Sequence, residues 1–250
     1  MKSLYSAALI ALSGTLLFSA CKKEKDTETP STPSNSSNQN AQARTTPNFR
    51  GANASLWAVN TFTTQTTPIG PIDIQAGIGV AMFSNDTYTG FTSAGSVKLN
   101  DKSLTEQTDH SYLTIPSMAE PTGVDLSSGQ TRWVVTGAGA NPAFDRTPSI
   151  TFPTVQGINS STTVVRANGY TLTTPSVSGA DSVIFAVGGL LKTKGPGTTS
   201  CTFTASELGA LSAGSSIVQV AAYTYTHEVI SGKDIYFGKE AVQTRSVTIQ

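Results

Sequence analysis

From residue 54 to the C-terminus, apolar side chains recur at every second position in short runs, and turn-forming pairs interrupt those runs. Val183, Phe185 and Val187 alternate with Ser182, Ile184 and Ala186, and Val218, Val220 and Ala222 oppose Ile217, Ala221, Tyr223 and Tyr225. A period of two puts each set on one face of an extended strand, whereas a helix would scatter it around its axis. The breaks fall at Asn85-Asp86, Asn100-Asp101, Ser128-Gly129, Asn168-Gly169, Ser178-Gly179 and Ser231-Gly232. These are residues that tolerate tight or left-handed turns.

Composition points the same way. The 250 residues include 37 Thr and 30 Ser, and only 13% are charged. Thr and Val suit strands, while Ser competes for backbone hydrogen bonds in turns. The pattern predicts strands over 55–63, 72–83, 95–99, 111–115 and 131–136. A second set is predicted over 162–166, 170–173, 182–187, 199–203, 216–226, 234–237 and 242–249. Asn168-Gly169, between Val164-Val165 and Tyr170-Leu172, reads as a hairpin turn. One helix is predicted: Thr204-Ala205-Ser206-Glu207 is a capping box ahead of Leu208, Ala210 and Leu211, with a stop at Gly214. Gly188-Gly189 and Gly195-Pro196-Gly197 flank Lys192 and Lys194 and read as a loop. They lack the spacing of a phosphate-binding loop.

The fold expected is therefore all-β. Strands at this spacing over 200 residues suit two immunoglobulin-like β-sandwich domains, 51–146 and 147–250, or one larger sandwich. The segment from Asn141 to Pro148 reads as the connector. Trp57 and Trp133 are candidates for large core aromatics. No internal repeat relates the halves.

The N-terminus differs in kind. Lys2 precedes an apolar stretch from Leu4 to Phe18, too short to span a bilayer, and then Ser19, Ala20 and Cys21. This is the layout of a secretory signal, residues 1–20. Residues 22–50 contain no Val, Ile, Leu, Met, Tyr or Trp. They cannot bury enough apolar surface to offset ordering entropy, so 21–50 is expected to be a disordered tether.

Leu17-Phe18-Ser19-Ala20-Cys21 resembles a bacterial lipobox, with Phe18 where Leu is usual. The resemblance implies cleavage before Cys21, a diacylglycerol on its thiol and an acylated amino terminus, as with palmitate. Two or three acyl chains hold a protein firmly on a membrane without spanning it. Lys22-Lys23-Glu24-Lys25-Asp26 resembles, loosely, the charged signals that follow the acylated Cys in surface lipoproteins of Bacteroidetes-type bacteria. The body resembles uncharacterised two-domain proteins with counterparts of residues 95–100 and 232–237, which brings no activity or site residue with it. The resemblance implies an exported, lipid-anchored protein of the bacterial outer membrane, facing the periplasm or the surface.

Charge and motif content exclude several functions. The net charge is zero over the whole chain, and the body from Gly51 holds 10 basic and 13 acidic residues. Such a surface suits no nucleic acid. With Cys21 lipidated, Cys201 is alone and reads as a buried small hydrophobe rather than a reactive thiol. His110 and His227 each adjoin a carboxylate, Asp109 and Glu228, but strand neighbours point to opposite faces. No Gly-x-Ser-x-Gly elbow, His-Glu-x-x-His pair or calcium loop occurs. Neither a catalytic residue nor a metal or cofactor is assigned. Trp57, Trp133, Tyr170, Tyr223, Tyr225 and Tyr236 could stack on sugar rings if exposed; Tyr223, Tyr225, Trp57 and Trp133 are the chosen candidates, with Tyr223 and Tyr225 about 7 Å apart on one strand face. The function expected is a non-enzymatic binding or structural module with a glycan or protein ligand. The alternatives are a glycan-capturing accessory subunit of an outer-membrane complex, or a hydrolase whose site is built from distant loops.

Overall fold

The computed structural model describes residues 51–67, 70–84, 90–117 and 119–250. Cys21, the expected signal and the expected tether lie outside the described residues. The chain opens with two long strands, β1 (Ala54–Thr67) and β2 (Gly70–Phe83), followed by β3 (Val97–Leu99), β4 (Lys102–Ser103), β5 (Thr105–Glu106), β6 (Tyr112–Thr114), β7 (Trp133–Val135) and β8 (Phe144–Arg146). Then come β9 (Thr154–Val155), β10 (Thr163–Val164), β11 (Tyr170–Thr173), β12 (Val177–Ser178), β13 (Ser182–Val187), β14 (Leu190–Lys194) and β15 (Ser200–Phe203). Helix α1 (Ala205–Leu208) leads into two 17-residue strands, β16 (Gly214–Ile230) and β17 (Lys233–Ile249). The all-β class read from the period-two pattern is the fold observed.

Nine strands form one sheet, ordered β14-β13-β16-β17-β1-β2-β6-β5, with β10 also on β17. The turn at Ser231-Gly232, both residues at positive φ (51° and 77°), closes β16 onto β17. Two central residues at positive φ match the twist of a tight hairpin. The far edge of β17 is shared. β1 runs parallel along residues 235–245, and β10 takes Thr248 and Ile249.

Both hydrophobic cores lie on the same face of this sheet. Leu56 and Ala58 of β1, Ala81 and Phe83 of β2, and Ile235 and Phe237 of β17 face the first. A four-stranded sheet, β4-β3-β7-β8, covers them with Val97, Leu99, Trp133, Val135 and Phe144. Val183, Phe185 and Val187, Val218, Val220 and Ala222, and Val247 and Ile249 face the second. The β11-β15 and β9-β12 pairs cover that core with Tyr170, Leu172, Cys201, Phe203 and Val155, helped by Leu208. All described residues fall within one compact unit.

The segment 147–162, irregular apart from β9, runs along the core face of β17, from Phe152 at the first core to Val155 and Ile158 at the second. Backbone carbonyls in such a segment need donors when they are taken from water. Side chains of one face of β17 supply them. Lys239 donates to Ile150 O at 2.6 Å, Gln243 to Val155 O at 3.0 Å, and Arg245 to Ile158 O and Ser160 O at 3.0 Å.

Several expectations are corrected. The connector from Asn141 to Pro148 contains a strand, since Phe144–Arg146 pairs with β7. The loop around Lys192 is a strand too, as Gly188-Gly189 makes a two-residue turn that pairs Val187 with Leu190. Asn168-Gly169 does not close a hairpin. Val164 pairs in parallel with Ile249, and Arg166 ties the following 3-10 turn to Gln250 O and Leu211 O. Helix α1 has the expected capping box but is only four residues long, ends at Leu208 with Gly209 as its C-cap, and Gly214 opens β16 instead.

Candidate functional site

The four aromatic residues expected to stack on a ligand separate. Trp133 is fully buried in the first core. Trp57 and Tyr223 are also buried, on the opposite face of the large sheet, with their rings edge to face at 5.9 Å. These three are packing residues and present no ring to a ligand. Their burial follows from strand position, which the period-two pattern could not rank by depth. Burial pushes the Tyr223 hydroxyl up to about 12. The neighbouring Glu240, its cross-strand partner, is buried as well, and desolvation raises its carboxyl to about 8.

Gly238 explains how Trp57 fits. It pairs with Trp57 on one side and Tyr225 on the other. A Cβ there would lie within 2.6 Å of three ring carbons of Trp57. The indole therefore packs closely over Gly238, with Nε1 donating to Ser55 Oγ at 2.6 Å.

Tyr225 is half-buried and meets Tyr236, also named as a possible stacking aromatic, and through it His227, which was not. Its ring is 6.0 Å from Tyr236, which is 4.8 Å from His227. His227 and Tyr236 are directly opposed across the β16-β17 hairpin. Asp234 Oδ1 holds His227 Nε2 at 2.7 Å. The result is an aromatic strip toward the hairpin end with a carboxylate beside it. Only cross-strand register could reveal it, because Tyr225, His227 and Tyr236 belong to two strands.

The histidines pair with carboxylates other than their sequence neighbours. His110 Nδ1 meets Glu106 Oε1 at 2.7 Å, and Asp109 instead accepts from Ser111 N and Oγ. Glu228 points to the other face, toward Arg146 at 3.6 Å. Hydrogen bonding from His110 holds the Glu106 carboxyl below its ordinary range. Both imidazoles are exposed surface partners of one carboxylate each. No group of three or more metal-ligating side chains occurs among the described residues. Cys201 is buried, and that burial pushes its thiol up, away from the thiolate form.

A cavity of about 450 Å³ opens at the start of the segment that runs along β17, between 128–130 and 147–152. Lys239 lines it and is only 2% exposed. Its ammonium donates to Gly129 O at 2.7 Å and Ile150 O at 2.6 Å, and lies 5.2 Å from the centre of the Phe152 ring. Burial pulls its pKa below the ordinary lysine value. Sequence reading missed this residue because an isolated Lys within a strand carries no motif.

No family model matches the chain, and no curated protein is similar to it. No helix of the described residues is long and apolar enough to cross a membrane.

Proposed function

We propose that the protein is a lipid-anchored, non-enzymatic binding or structural module of the bacterial outer membrane or cell surface. The observation that carries this reading is Cys21, which follows an apolar stretch and the small residues Ser19 and Ala20 and precedes 29 residues poor in apolar side chains. Acyl chains on that thiol would anchor the body at a reach of about 30 Å, the span of a flexible coil of this length. The all-β body supports the reading by offering rigid strands on which a recognition surface can be built. Cys21→Ser is expected to move the protein from the membrane fraction to the soluble fraction or to leave an uncut precursor. Unchanged acylation and membrane fractionation of the variant would defeat the proposal.

A second reading, glycan capture beside an outer-membrane complex, is favoured by the half-exposed strip of Tyr225, Tyr236 and His227. Aromatic faces beside a carboxylate suit sugar rings and their hydroxyls. Recovery of partner proteins with the chain from detergent-solubilised membranes supports it, and recovery of the chain alone counts against it.

A further inference from the structure

We propose that the cavity floored by Lys239 binds a carboxylate-bearing sugar of the uronic acid class. The proposal rests on the binding-module reading and names a ligand class for it. A lysine taken largely out of solvent is costly unless other groups compensate its charge. Here two backbone carbonyls and the face of Phe152 do so in part. No carboxylate lies within 4.0 Å of Lys239 among the described residues. An ammonium has three N–H donors and two are used, which leaves one for an anion. The rest of the lining selects the ligand. Ser149, Thr151 and Gln130 supply hydroxyl and amide groups, while Phe152 supplies an apolar ring. A hexuronate presents the matching set: one carboxylate, several hydroxyls and a C–H face. The volume is within the range of small-ligand pockets.

The assignment also gives Lys239 a second role beside its structural one. Its carbonyl bonds tie 128–130 and 147–152 to β17, so the loops that form the cavity walls are held by the residue at its floor. A ligand carboxylate would join that same network.

The test is calorimetric titration of the full chain in detergent with glucuronate, and with glucose as the uncharged control. Saturable glucuronate binding is expected, with a Kd of about 1 mM or tighter, and glucose is expected to bind at least roughly tenfold more weakly. Lys239→Met should weaken glucuronate by roughly tenfold or more. Because that change also removes a loop tie, Ser149→Trp serves as a second variant. It starts from an exposed wall residue and fills the cavity, so it should abolish binding while the melting temperature stays unchanged. Absence of saturable glucuronate binding by the native chain overturns the proposal. So does equal affinity for glucose, or full affinity in a folded Ser149→Trp protein. Fractionation of Cys21→Ser reports on the anchor alone, so failure of this pocket and failure of the lipoprotein reading are told apart.

Discussion

At the scale of single residues, depth within the sheet decides what an aromatic side chain can do. Trp57, Trp133, Tyr223 and Tyr225 look alike in the sequence, each in or beside a strand-like run. Three are buried and only Tyr225 reaches a partly open surface. The difference lies in what stands on the neighbouring strand. Trp57 is accommodated because its β17 neighbour is Gly238, which leaves the backbone bare under the indole. Gly238→Ala is therefore expected to displace Trp57 and cost about 1–3 kcal/mol, the usual penalty for overpacking. Urea unfolding measures it, and an unchanged midpoint would show that the close approach is not needed. Cys201 was legible by contrast. A lone thiol among strand residues, without a cationic partner beside it in sequence, reads as buried, and it is.

At the scale of elements, local chemistry was readable wherever it closes within a few residues. The capping box of α1 is such a case. Glu207 accepts from Thr204 N at 2.7 Å, and Thr204 Oγ1 accepts from Glu207 N at 3.3 Å. What the sequence could not show is that Lys192, on β14, reaches Glu207 Oε1 at 2.7 Å. That bond, followed by the two from Thr204, lowers the Glu207 carboxyl to about 2. Its folded value lies below its unfolded one, so its contribution to stability is present above the ordinary carboxylate range. It is lost as pH falls toward about 2. Glu207→Gln should thus melt below the native protein at pH 7, and the gap should close as the pH approaches about 2. A gap independent of pH in thermal melts would refute the linkage. The Asn168-Gly169 expectation failed for the complementary reason. Gly169 does turn the chain at positive φ, but β10 and β11 find their partners in β17 and β15, far along the sequence.

At the scale of the whole molecule, β16 and β17 are the elements on which the rest depends. β17 contributes Ile235 and Phe237 to one core and Val247 and Ile249 to the other. The cut between 146 and 147 would leave β1 and β2 without β17, exposing a long strand edge and stripping Ile230, Ile235 and Phe237 from the first core. Fragments 51–146 and 147–250, made separately, are each expected to lack a cooperative urea transition, and co-expression should restore one. Cooperative unfolding of either fragment alone would overturn this. The sequence by itself determined the class of fold, because a period of two admits only extended strands with a buried face. It also determined the tight turn at Ser231-Gly232 and the capping box of α1, both of which rest on neighbours close along the chain. Only the tertiary structure decided that one sheet carries both cores, that β1 lies parallel to β17, that Tyr225, Tyr236 and His227 meet, and that Lys239 floors a cavity. Those facts depend on strand register between segments up to about 180 residues apart, as in the Ala54–Ile235 pairing. Register is selected by the summed burial of whole strands, and no local run of residues encodes it.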